Sequence, residues 1–63
     1  MNRDTIQGQW KQLRGKIRQQ WGNLSDDDVE SVNGSYEELV GKIQEKYGVA
    51  KDKAERMVEE WKA

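Results

Sequence analysis

Sixty-three residues with no cysteine and no histidine exclude disulfides, thiolate nucleophiles, zinc–thiolate centres and imidazole ligands, and leave no side chain that ordinarily titrates near neutrality. Eleven Lys and Arg against twelve Asp and Glu give a net charge of −1, so the molecule as a whole has no bias toward polyanions. Only 33% of residues are hydrophobic and phenylalanine is absent, so three tryptophans and two tyrosines must supply much of the core of one small domain.

There is no proline, and Gln, Glu, Lys, Arg and Leu dominate, so helix is the expected state throughout. Ile6, Trp10, Leu13, Ile17 and Trp21 recur at spacings of three or four and predict one first helix. Asp4 is its expected cap, Gln7 the reciprocal partner, and Gly22 a left-handed stop. Ser25 predicts the N-cap of a second, shorter helix. Asp26, Asp27 and Asp28 fill its first turn, where the macrodipole favours negative charge. Val29 and Val32 are its apolar contacts, and Asn33-Gly34 ends it. Ser35 and Glu38 form an S-x-x-E capping box for a third helix with the stripe Tyr36, Leu39, Val40, Ile43 and Tyr47, closed by Gly48. A fourth carries Ala50, Ala54, Met57, Val58 and Trp61 on one face, with Asp52–Arg56 and Lys51–Glu55 as weak surface pairs. Nothing reads as strand. No apolar run approaches the roughly 20 residues of a membrane span. The opening MNRDTIQGQW lacks the apolar stretch of a secretory signal, so a cytoplasmic location is expected.

The chain also repeats itself. GKIRQQWG (residues 15–22) returns twenty-six positions later as GKIQEKYG (residues 41–48). The same register pairs Leu13 with Leu39, Trp21 with Tyr47, Asp26 with Asp52 and Val32 with Val58. Each copy reads as an α-hairpin, over about residues 4–33 and 35–62, within a single domain spanning 1–63. One hairpin cannot bury its own stripe, but two packed together can. The expected fold is therefore all-α, a small four-helix bundle of two hairpins. At about 100° per residue, Gly8 and Gly15 lie opposite the first stripe, and Gly41 lies away from the third. Each costs about 1 kcal/mol against alanine in a helix interior. Two readings follow: the glycines favour fraying, or another backbone approaches them, from within the bundle or from a partner.

Charge is segregated. Arg3, Lys11, Arg14, Lys16 and Arg18 face only Asp4 in the first 22 residues, whereas residues 23–38 hold Asp26, Asp27, Asp28, Glu30, Glu37 and Glu38 and no cation. This implies either internal complementarity or a basic face for an anionic partner. Gly8, Lys11, Gln12, Arg14, Gly15 and Arg18 make up that candidate interaction face. Catalytic and cofactor-binding residues are not expected, because no nucleophile has a suitable base and GKI lacks the glycines of a phosphate loop. The Asp26–Asp28 run with Glu30 lacks the glycine and closing glutamate of a calcium loop, so capping explains it better than a metal. Nucleic acid is a weaker expectation, since the rings that would stack on bases lie on the apolar stripe. Residues 4–21 also fit an amphipathic helix at a membrane surface, although packing into a bundle is the simpler account.

The blocks WKQLRGKI (residues 10–17), WGNLSDDD (21–28) and LVGKIQEKYG (39–48), followed by A-E-x-x-V-x-x-W (54–61), resemble the CsbD-like family of small bacterial stress proteins. The resemblance implies two orthogonally packed α-hairpins, similar to SAM-domain-like folds, and expression in the general stress response without a defined site. The strong hydrophilicity, with a mean hydropathy of −1.18, also looks like that of hydrophilins. The expected function is that of a non-enzymatic stress protein that protects other macromolecules. The alternative is a binding module whose basic first helix engages nucleic acid or an acidic protein.

Overall fold

The helical periodicity of the chain folds as five α-helices rather than four. The computed structural model describes residues 1–62 and holds, among them, α1 (Arg3–Gly8), α2 (Trp10–Gln20), α3 (Asp26–Val32), α4 (Tyr36–Tyr47) and α5 (Lys51–Glu60), with no strand. The expected first helix is split at Gln9, whose backbone leaves helical geometry at φ −116° and ψ 24°. Its N–H still donates to the Thr5 carbonyl at 2.9 Å, and its carbonyl accepts from Gln12 and Leu13, so the break costs few hydrogen bonds. The break directly follows Gly8, the weakest helix former of the segment. It also lies where the turn after α3 presses in: a Cβ on Gly34 would stand 3.5 Å from the Trp10 Cβ and 3.7 Å from the Gln7 Cα.

Caps explain the other boundaries. Asn2, not Asp4, caps α1: its Oδ1 accepts from the Thr5 N–H at 2.8 Å and the Thr5 hydroxyl at 2.9 Å. Asp4 therefore sits inside the first turn and acts only on the dipole. Ser25 caps α3 as expected and closes a reciprocal box with Asp28. Leu24 and Val29, both buried, occupy the positions of a hydrophobic staple around that cap. Asn33 and Gly34 end α3 with successive positive φ values of 47° and 83°. Ser35 makes half of its expected box, its Oγ accepting from the Glu38 N–H at 3.3 Å. Gly48 ends α4 in the left-handed region at φ 66°. Gly22 does not do so for α2, where positive φ is confined to Asn33, Gly34 and Gly48 among the described residues. Trp21 instead turns into the core, and Leu24 N–H bonds back to its carbonyl at 3.0 Å.

The core takes in every stripe residue of the first three expected helices except Tyr47, which is half-buried, and adds Leu24. Ile6, Ile17, Leu24, Leu39, Ile43, Val32 and Val58 are the largest side chains wholly removed from solvent. From α5 come Ala54 and Val58, with Trp61 just beyond it; Met57 is only half-buried, and Ala50 is the exposed cap of that helix. Trp61 meets Trp21 edge to face, ring centroids 4.9 Å apart, tying the end of α5 to the end of α2. Successive helices pack on one another, and α1 also packs on α4. The Met1 ammonium donates to the carbonyls of Glu59 (2.7 Å) and Trp61 (3.0 Å), which brings α1 beside the end of α5. The Asp52–Arg56 and Lys51–Glu55 pairs do not form; Asp52 accepts from the Lys53 N–H instead.

Candidate interaction face

Because Ile6, Trp10, Leu13 and Ile17 point inward, the opposite side of α1 and α2 faces solvent. Gly8, Lys11, Gln12, Arg14 and Gly15 are exposed there, and Arg18 is half-buried. The break at Gln9 divides them. Gly8, Lys11 and Gln12 border a shallow depression of about 470 Å³ that reaches Asn33. Arg14, Gly15 and Arg18 border a smaller one of about 210 Å³, shared with Asp26 and Glu30 of α3. A Cβ placed on Gly8, Gly15 or Gly41 would meet nothing within 4 Å. No backbone inside the bundle approaches these glycines, so that explanation of them falls.

The segregated charges are partly spent internally. Arg18 Nε donates to Asp26 Oδ1 at 2.8 Å, and its guanidinium also reaches the Leu24 carbonyl. Arg3 pairs with Glu37 and lies over the Tyr36 ring, 4.8 Å from its centroid. Lys11, Arg14 and Lys16 form no ion pair among the described residues and leave α2 with a basic outer surface.

The most elaborate polar cluster was not among the expected site residues. Asp28, buried at the start of α3, accepts from the Ser25 N–H at 2.9 Å. Lys42 and Lys46 of α4 approach its two oxygens at 3.5 and 3.4 Å. The Ser25 backbone bond, with the Ser25 hydroxyl and Lys46, holds its carboxyl down at about 2 against an ordinary 3.8, overcoming desolvation. The signal was present in the Ser25-x-x-Asp28 spacing and in two lysines one turn apart, but their meeting is tertiary. Asp28 thus caps α3 and pins it to α4, while Asp26 holds Arg18. The acidic run is thereby divided between capping and ion pairing. No group of three or more metal-ligating side chains stands together among the described residues. On the other side of the molecule the Tyr36 hydroxyl faces Glu59 at 3.4 Å. Burial, with the Glu59 and Glu55 carboxylates, pushes its pKa up.

Five short helices, a core of interior aliphatic and tryptophan side chains and a polar outer surface define a small all-α protein whose open feature is a charged helix face. The CsbD-like family model matches residues 4–56, and the chain belongs to that family. It is 62% identical over 63 residues to UPF0337 protein RB10934 of Rhodopirellula baltica, covering 100% of this chain and 93% of the relative. UPF0337 protein YjbJ of Escherichia coli K12 is 52% identical over 61 residues, covering 97% of this chain and 88% of its own length. UPF0337 protein PA4738 of Pseudomonas aeruginosa is also 52% identical, with coverage of 97% and 94%. No helix among the described residues is long and apolar enough to cross a membrane.

Proposed function

We propose that this chain is a non-enzymatic, hydrophilin-like protein of the general stress response, acting in the cytoplasm by shielding other macromolecules with a hydrated, charge-mixed surface. One observation carries the reading: among the described residues no large hydrophobic side chain is exposed, although the chain holds three tryptophans. Such a surface offers neighbours water and mixed charge rather than an apolar contact. In this reading the repeats over residues 4–33 and 35–62 form two orthogonally packed hairpins of SAM-like type, with the broken α1–α2 segment serving as the first arm. The test is to dry or heat a labile enzyme with the protein present. Recovery above that given by an equal mass of an inert small protein supports shielding, and equal recovery refutes it.

A second reading rests on a separate observation, the cations Lys11, Arg14 and Lys16 on α2, which form no ion pair among the described residues. They suit this face to an anionic partner, nucleic acid or an acidic protein. Retention on nucleic acid that falls steeply with salt, and disappears when all three become glutamine, supports it.

A further inference from the structure

The two glycine-centred faces of the molecule carry opposite charge. Around Gly15, Lys11, Arg14 and Lys16 are exposed and Arg18 is held by Asp26; around Gly41, Glu38 and Glu45 are exposed and Glu37 is paired with Arg3. The lysines that would neutralise the second face are drawn off it. Lys42 and Lys46 both reach Asp28, and Lys46 passes Glu45 only at 3.9 Å. Both faces are open, since neither glycine has a neighbour within 4 Å of a Cβ. A long polyanion suits the basic face less well, because Asp26 and Glu30 border the same depression as Arg14 and Gly15. A short acidic helix face that avoids those carboxylates fits better, and α4 is such a face.

We propose that the outer face of α2 docks on the outer face of α4 of a second copy of this chain, the helices crossing near Gly15 and Gly41. The proposal rests on the reading of α2 as a binding face and names its partner. With glycine at the crossing the two backbones approach closely, and Lys11 and Arg14 then lie among Glu38 and Glu45 of the other copy. The surfaces in contact are different ones, so the association is heterologous and can propagate beyond a dimer. One helix face on another buries less than the about 1,200 Å² at the low end of stable interfaces, so the association is weak and salt-sensitive.

Sedimentation equilibrium and amide chemical shifts of the full chain, taken from micromolar to millimolar concentration, test this. The expected mass rises with concentration at low salt and returns to that of the monomer at about 1 M salt, where the Debye length is about 3 Å. The shifts concentrate on α2 and α4. Lys11→Glu with Arg14→Glu, and separately Glu38→Lys with Glu45→Lys, each weaken self-association by roughly tenfold or more, and mixing the two double variants restores it. Gly15→Gln abolishes association while its thermal unfolding shows a domain at least as stable as the parent. A monomer at every concentration, or association indifferent to the charge reversals, overturns the proposal. Salt-sensitive retention of a strictly monomeric chain on RNA also overturns it, while leaving α2 as the binding face.

Discussion

GKIRQQWG and GKIQEKYG share four of eight letters, yet the chain treats them differently. Both contribute an inward isoleucine, Ile17 and Ile43, with no exposure at all. After that they diverge. The first ends by sending Trp21 into the core against Trp61, and its Gly22 keeps an ordinary backbone. The second leaves Tyr47 half-buried, with its hydroxyl accepting from the Asn23 N–H at 3.2 Å, and ends in a left-handed Gly48. Their lysines part as well: Lys16 is exposed and unpaired, whereas Lys42 is drawn to Asp28. A pattern of apolar spacing fixes which side of a helix is buried, but the way the helix stops depends on what the next residue can reach.

The largest expected effect tests the aromatic position of each copy. Trp21→Ala removes a buried ring and its partner for Trp61, a loss of about 3–5 kcal/mol. A domain of this size holds little more than that in total, so the variant should be largely unfolded by far-ultraviolet circular dichroism at room temperature. Tyr47→Ala removes a half-buried ring and should cost only about 1–2 kcal/mol, leaving a folded domain with a lower urea midpoint. Equal losses from the two would mean that the copies are packed alike after all.

The stop glycines come next. Gly48→Ala forces a side chain into the left-handed region and should cost about 1–2 kcal/mol. Gly22→Ala meets no such penalty and has open space for its methyl, so its unfolding midpoint should be nearly unchanged. A large loss from Gly22→Ala would restore the symmetric reading of the two W-G and Y-G endings.

Legibility followed the range of each interaction. The stripes of Ile6 to Trp21 and Tyr36 to Ile43 could be read because burial repeats with the helix period. The caps at Ser25 and Asn33-Gly34 could be read because they involve near neighbours in sequence. The break at Gln9 had only Gly8 as a local signal, since the turn at Gly34 that lies against Trp10 and Gln7 is distant in sequence. Of the candidate face, exposure was legible on the helical wheel, but its division into two depressions and the capture of Arg18 by Asp26 required the placement of α3. Asp28 was visible only as one acid in a run of three. Its neighbours from α4 lie 14 and 18 residues away.

That aspartate marks a further difference between the copies, since its counterpart Ala54 is a core methyl. A folded carboxyl at about 2, below an ordinary 3.8, stabilises the fold fully above the unfolded value. The contribution disappears as pH falls from about 4 through about 2, because the unfolded chain then binds the proton more readily. Asp28→Asn keeps an acceptor for the Ser25 N–H but loses the charge facing Lys42 and Lys46. The variant should melt lower than the parent at neutral pH, and the gap should close across that acid window. A constant gap in melting temperature down to pH 2 would assign the loss to packing instead.

The smallest effects belong to the leading glycines, where the copies should agree. Gly15 and Gly41 are both helical, both exposed and both without a neighbour that a methyl would touch. Alanine at either position restricts the unfolded chain without straining the folded one, so each substitution should stabilise by about 0.5–1 kcal/mol. Measured by urea unfolding at micromolar concentration, where copies of the chain stay apart, the gains should be equal and additive, because the sites share no partner. A gain at one site and a loss at the other would reveal that the two faces already differ within the monomer. Equal gains mean that glycine is not needed there by the fold of a single copy, and any requirement for it must come from something that docks on those faces.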